Sequence, residues 1–418
     1  MRIGENMKPI PKEAVHLRRS IGLGGLVLYG LGVTIGAGIY VLVGETIVRA
    51  GPYAPAAFLL SAIVMGFTAA SFAELSGRVP QAAGEAVYVE KSFGIAWLTV
   101  LVGLAVLVEA MIAAAAIAVG AAGYVGELVV LPKEMLVICI VLSMAAIAGW
   151  GIRESVAIAG AMTLVEVAGL LVIIIFGLFN DAASLKDLPA ALMPPVGDGV
   201  ALSGVLGASM IAFFAFIGFD DVVNLVEEAR HPRKVMPWAI GITLFLVTVL
   251  YVLVSFVAAQ RIPVEALAQT SAPISLLFER LTGLPPLVIT LVAIVATMNG
   301  VVIILVMASR VAYGMAKAGR MPAWIGVLSP RTQTPLRATV LIALIVMVFA
   351  VFTPLDTLAE TSSEVLLCVF TMINLALVRF KLQGVEAPDD AFTVHIIFPI
   401  AGVVCCVGLL IGASLFGT

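Results

Sequence analysis

Long apolar runs with few charges recur along this chain and leave it few possible folds. They lie near 21–48, 53–75, 94–121, 132–150, 155–179, 203–226, 237–259, 284–316, 336–353, 357–379 and 394–416. A membrane-spanning helix takes about 20 mainly apolar residues, so each run can cross a bilayer. The runs are continuous, whereas barrel strands would alternate over short segments, so helices are predicted. Composition agrees: 62% of the 418 residues are apolar and 12% are charged. A soluble domain has roughly half and roughly a quarter. A soluble globular enzyme, a disordered tail and a collagen-like fibre are excluded. The predicted class is an all-α integral membrane protein.

Net charge is −3 and no basic stripe is present, so no nucleic-acid partner is expected. Cys139, Cys368, Cys405 and Cys406 all lie in apolar runs and read as small buried hydrophobes. His16, His231 and His395 have no metal-ligand spacing. Residues 1–20 are polar and basic with no small-residue cleavage site, which predicts a cytoplasmic N-terminal segment and no removable signal peptide. Outside the spans, only Arg49, Lys133, Lys186, Arg261 and Arg280 fall in the loops opposite the N-terminus, while the other Lys and Arg share its side. The positive-inside bias predicts a cytoplasmic N-terminus and, with eleven spans, an extracytoplasmic C-terminus.

The first five spans (21–180) are odd in number, so the next five (203–380) begin from the opposite side. Inverted five-helix repeats are expected, followed by one additional helix at 394–416. The first helix of each half carries glycines at mid-span: Gly32, Gly36 and Gly38 in one, Gly218 in the other. Breaks at matching positions of two halves point to a midplane binding site. A half-helix starting after Gly38 would offer free N–H groups and partial positive charge to a carboxylate. Carbonyls freed near Gly218 would suit an ammonium group. A zwitterion fits between the two. The bland alternative is that Gly32 and Gly36, four apart, form a small-residue packing face.

At these residues the sequence resembles a known family. Leu17–Gly22 (LRRSIG) followed by Gly36–Tyr40 (GAGIY) is similar to the first helix of the amino acid–polyamine–organocation superfamily. Phe213–Ile240 (FFAFIGFDDVVNLVEEARHPRKVMPWAI) resembles the sixth helix and following loop of its cationic amino acid transporter-like branch. Ser309–Pro322 (SRVAYGMAKAGRMP) and Glu74–Val89 (ELSGRVPQAAGEAVYV) match two further motifs. The resemblance implies a LeuT-like fold of two inverted repeats with discontinuous helices 1 and 6. It also implies a bacterial inner-membrane permease moving a small-molecule amino acid substrate by alternating access. Ile35, Gly36, Ala37, Gly38 and Ile39 would hold the substrate carboxylate. Phe214, Ala215, Ile217 and Gly218 would hold the α-amino group, and Phe219 would gate the site from outside. The family usually has twelve spans, and the last has no counterpart here. Oligomeric state, monomer or homodimer, stays open.

Acids within spans are functional hypotheses by default. Asp220 and Asp221 follow the sixth-span glycine, where a cap for a restarting half-helix is the plainer reading. Glu109 in the third span would read a basic side chain or bond a neighbouring helix. Glu166 in the fifth span stands where the family's proton-coupled carriers have a lysine facing the first helix. An ionised glutamate is repelled by carbonyl oxygens, so it is held neutral or pairs with a cation; burial favours the neutral form. Proton symport is the expected mode, with sodium coupling or uncoupled exchange as alternatives, and no cofactor or metal is expected. A carrier for amines or polyamines, or a channel or receptor, are the rivals. Thr297, Asn299 and Gly300 in the eighth span are weaker site candidates, and Glu227 to Lys234 are expected in a charged inner loop.

Overall fold

The computed structural model describes residues 21–80, 84–150, 156–179, 184–195, 197–226, 228–332 and 334–416. The N-terminal segment 1–20 and Glu227 lie outside the described residues. Each of the eleven apolar runs overlaps a long helix: α1 Leu23–Ala50, α2 Ala54–Arg78, α3 Ala96–Gly126, α4 Lys133–Trp150, α5 Val156–Phe179, α6 Gly199–Ala215, α7 Pro232–Arg261, α8 Leu287–Lys317, α9 Leu336–Phe352, α10 Leu355–Leu382 and α11 Ile397–Phe416. Among the described residues, eight stretches are long and apolar enough to cross a membrane, and there is no β-strand.

The helices start and stop where backbone chemistry requires. Gly51 takes φ +56°, and Pro52 behind it lacks the N–H a continuing helix needs, so α1 ends there. Prolines 286, 335 and 354 immediately precede α8, α9 and α10, where a missing N–H costs nothing. Many large apolar side chains stay exposed, such as Val340, Leu344 and Val348 along one face of α9. An outward apolar stripe belongs to a lipid-facing helix.

Helices α1, α2, α6 and α7 pack on one another, and α3, α4, α8 and α9 form a second packed group. Helix α5 lies along α1 and α7, while α11 covers α10, α2 and α6. Helix α11 lies over a polar cluster that joins α10 to α2. Asn374 accepts from the Ser71 hydroxyl at 2.6 Å and donates to Thr68 Oγ1 and the Phe370 carbonyl, each at 2.9 Å. A Cβ on Gly402 would stand 2.5 Å from Asn374 Oδ1. Gly402→Ala is therefore expected to expel the amide from its bonds and destabilise the protein by about 2–3 kcal/mol, read as a lower unfolding midpoint in detergent.

One expectation needs correction. Helix α1 runs without interruption through Gly36, Ala37 and Gly38. Intact, it keeps its backbone N–H and C=O groups paired, and Gly32 and Gly38 serve close packing instead. A Cβ on Gly32 would meet Thr163 Oγ1 of α5 at 2.1 Å, and one on Gly38 would meet the Ala215 Cα at 2.3 Å. The sixth span does break. Helix α6 ends at Ala215, Gly218 takes φ +115°, and a short 3-10 helix, Asp220–Leu225, leads toward α7. Phe219 follows the break. Its ring is fully buried, 6.1 Å from Phe72 and 5.8 Å from Phe370, and Phe72 also meets Tyr88 of the short helix Gly84–Phe93.

Candidate functional site

The α6 break faces the glycine-rich middle of α1. A Cβ on Gly218 would crowd Val33, at 3.0 Å from its carbonyl carbon, as one on Gly38 would crowd Ala215. The two backbones thus meet at two successive points, which only glycine allows. Ile35, Ile39, Phe214 and Ala215 are buried, and Ile217 is half-buried. The surroundings of Gly36 and Ala37 lie outside the described residues. Asp220 is buried, and its Oδ1 accepts the Gly218 N–H at 3.1 Å. It closes the turn at the break rather than capping the short helix beyond.

Sequence reasoning missed the tyrosines that frame this contact. The Tyr251 hydroxyl of α7 lies 2.8 Å from the Thr34 carbonyl of α1 and 2.9 Å from the Ala215 carbonyl that ends α6. It has one proton for two acceptors. The Tyr40 hydroxyl of α1 donates to the Glu166 carbonyl of α5 at 2.7 Å, and the Tyr124 hydroxyl of α3 donates to the Tyr40 carbonyl. The available signal was a tyrosine in an otherwise apolar span, whose polar tip must find a partner in lipid. Tyr251→Phe leaves buried carbonyls without this donor. The unliganded protein is expected to lose about 1–3 kcal/mol of stability, measured by thermal unfolding in detergent.

The acids fall in two places. Glu166 is 1% exposed on the α1-facing side of α5, one turn from Thr163, and neither carboxyl oxygen has a hydrogen-bond partner. It is within electrostatic reach of Tyr40 and Tyr251. Glu109 of α3 lies elsewhere. It accepts from the Ser362 hydroxyl of α10 at 2.8 Å and is within electrostatic reach of Asp220 and of Glu85 in the short helix Gly84–Phe93. Desolvation, then the charge of Asp220, pushes the Glu85 carboxyl up to about 7. Thr297 is buried but spends its hydroxyl on its own helix, at 2.7 Å from the Ala293 carbonyl. Among the described residues no set of His, Cys, Asp and Glu has the geometry of a metal site.

The arrangement brings a helix end, a paired glycine contact and one unpartnered buried carboxyl together inside an apolar bundle. Comparison with known proteins adds to this. A family model described as amino acid permease matches residues 21–418. The cationic amino acid transporter 4, vacuolar, of Arabidopsis thaliana is 32% identical over 403 residues, covering 89% of this chain and 65% of the relative. The branched-chain amino acid permease BcaP of Bacillus subtilis is 29% identical over 398 residues, covering 89% of this chain and 83% of the permease. A methylthioribose transporter of Bacillus subtilis is 28% identical, with 90% and 84% covered. The chain spans 60–65% of the length of the Arabidopsis transporters it matches.

Proposed function

This chain belongs to the amino acid permease family of the amino acid–polyamine–organocation superfamily, and from that premise we propose that it is a secondary amino acid carrier working by proton symport. The observation that carries the coupling is Glu166, a buried carboxyl with no hydrogen-bond partner. A charge left alone there is costly, so the group takes up a proton or a cation. Exposed in turn to each side, it loads a proton on one and releases it on the other.

The substrate site is the contact between α1 and the α6 break. Opening α1 at Gly36–Gly38 frees N–H groups for the substrate carboxylate. The Ala215 carbonyl, next to the carbonyls of Phe214 and Ile217, receives the ammonium. The Tyr251 hydroxyl, which here lies between the Thr34 and Ala215 carbonyls, then donates to Thr34 alone, whose carbonyl would otherwise lose its helical partner. In alternating access, α1, α2, α6 and α7 move as one group against α3, α4, α8 and α9. The Lys/Arg-rich end faces the cytoplasm. The relatives' names cover cationic and branched-chain amino acids and methylthioribose.

The test is uptake of a panel of radiolabelled amino acids into proteoliposomes at fixed sodium, with and without an inward proton gradient. Gradient-stimulated accumulation of at least one is expected. Saturable counterflow with no response to the gradient would make the protein an exchanger, and no saturable flux at all would remove the carrier reading.

A further inference from the structure

The segment 383–396 joins α10 to α11 and crosses the Lys/Arg-rich end of the bundle. One side of it is anchored on Glu74 of α2, which is fully buried. Glu74 accepts from Arg78 and from Lys381 of α10, each at 2.8 Å, and its second oxygen accepts the Val394 N–H at 2.8 Å. Lys381 also donates to the Val394 carbonyl at 2.6 Å, and Arg78 to the Val385 carbonyl at 2.6 Å. The other side is tied by one exposed pair: Arg233, in the first turn of α7, donates to Asp390 Oδ1 at 2.7 Å. This bond holds the Asp390 carboxyl below its usual range. Between the two ends, Ala391 lies against Gly77 of α2.

The same end of α7 is joined to the start of α1. Ile21 donates its N–H to the Glu228 carbonyl at 3.1 Å and accepts from the Arg230 N–H at 2.8 Å. This is a single parallel bridge between residues 21 and 229. Leu23, Arg233 and Asp390 line one cleft of about 510 Å³. The strap, the head of α7 and the head of α1 therefore form one chain of contacts. Its anchor is buried and multiply bonded, while its releasable link is solvent-exposed and single. Buried ion clusters are strongly destabilised by removing one member, whereas exposed pairs contribute little and are screened by salt.

We infer that residues 383–396 form a latch that holds the Lys/Arg-rich end closed, with Glu74 as its hinge anchor and Arg233–Asp390 as its catch. The inference rests on the transport reading for its purpose. Releasing the catch frees the head of α7, and through the Ile21 bridge the head of α1, to swing out.

Hydrogen–deuterium exchange on the full chain in lipid nanodiscs tests the latch without relying on transport. Asp390→Asn is expected to raise exchange of the peptides covering 21–34 and 217–235 by about two- to five-fold, as loss of one exposed pair allows. Exchange in α3 and α8 stays unchanged. The exchanged pair, Arg233→Asp with Asp390→Arg, restores the original rate. Wild-type protein in roughly 0.5 M salt behaves like Asp390→Asn, because the pair is exposed to screening. Unchanged exchange in Asp390→Asn, or a rise that the exchanged pair does not reverse, overturns the latch. A wild-type protein without any saturable uptake would overturn the carrier reading and leave the exchange result standing by itself.

Discussion

Glu166→Gln is expected to keep substrate binding and counterflow while losing accumulation driven by a proton gradient. Glutamine preserves the volume and the polar tip but has no titratable proton. At one proton per substrate, a gradient of one pH unit sustains about tenfold accumulation in the wild type. In the variant the ratio falls to about one. The reason is local: both carboxyl oxygens of Glu166 are without a hydrogen-bond partner, and the residue is 1% exposed against α1. Any change in its charge is therefore felt by α1, the helix that has to open. Uptake measured against imposed pH steps in proteoliposomes checks this, with counterflow in the same vesicles reporting that the variant is folded and binds.

Gly38→Ala is expected to abolish both uptake and counterflow. The added Cβ would stand 2.3 Å from the Ala215 Cα and 2.7 Å from its carbonyl oxygen, which is backbone and has no rotamer to yield. Overpacking of this kind costs typically 1–3 kcal/mol and here pushes α1 away from the α6 break. Thermal unfolding in detergent should show a loss of about 3 kcal/mol, with flux reduced at least tenfold. Gly66→Ala on α2 is the matched control, because nothing lies within 4 Å of a Cβ there, and it should be silent in both assays. If Gly38→Ala behaves like the control, the backbone contact is not the substrate site.

Hydropathy carried the spans well, because the cost of exposing polar backbone to lipid leaves little choice but a helix wherever about 20 apolar residues run together. The break was legible from the mid-span Gly218 and the double acid after it, and that glycine takes φ +115°. Hydropathy failed at α1. A glycine within an apolar helix reads the same whether it lets the helix unwind or lets another backbone approach, and in this structure Gly32 and Gly38 do the second. Glu109 was read as meeting a basic side chain or bonding a neighbouring helix, and it bonds Ser362 of α10; that Glu166 has no such partner is decided by helices far away in sequence. Tyr40, Tyr124 and Tyr251 were overlooked because their apolar rings satisfy the pattern of a span, while their hydroxyls carry the information.

The central claim is that Glu166 exchanges a proton in step with substrate. The most direct measurement is internal pH in proteoliposomes loaded with a pH-sensitive dye, following addition of a transported amino acid outside with no pH gradient imposed. Substrate-dependent acidification of the lumen is expected in the wild type and none in Glu166→Gln at equal substrate exchange. Acidification that persists in Glu166→Gln, or wild-type uptake without any proton movement, would contradict it.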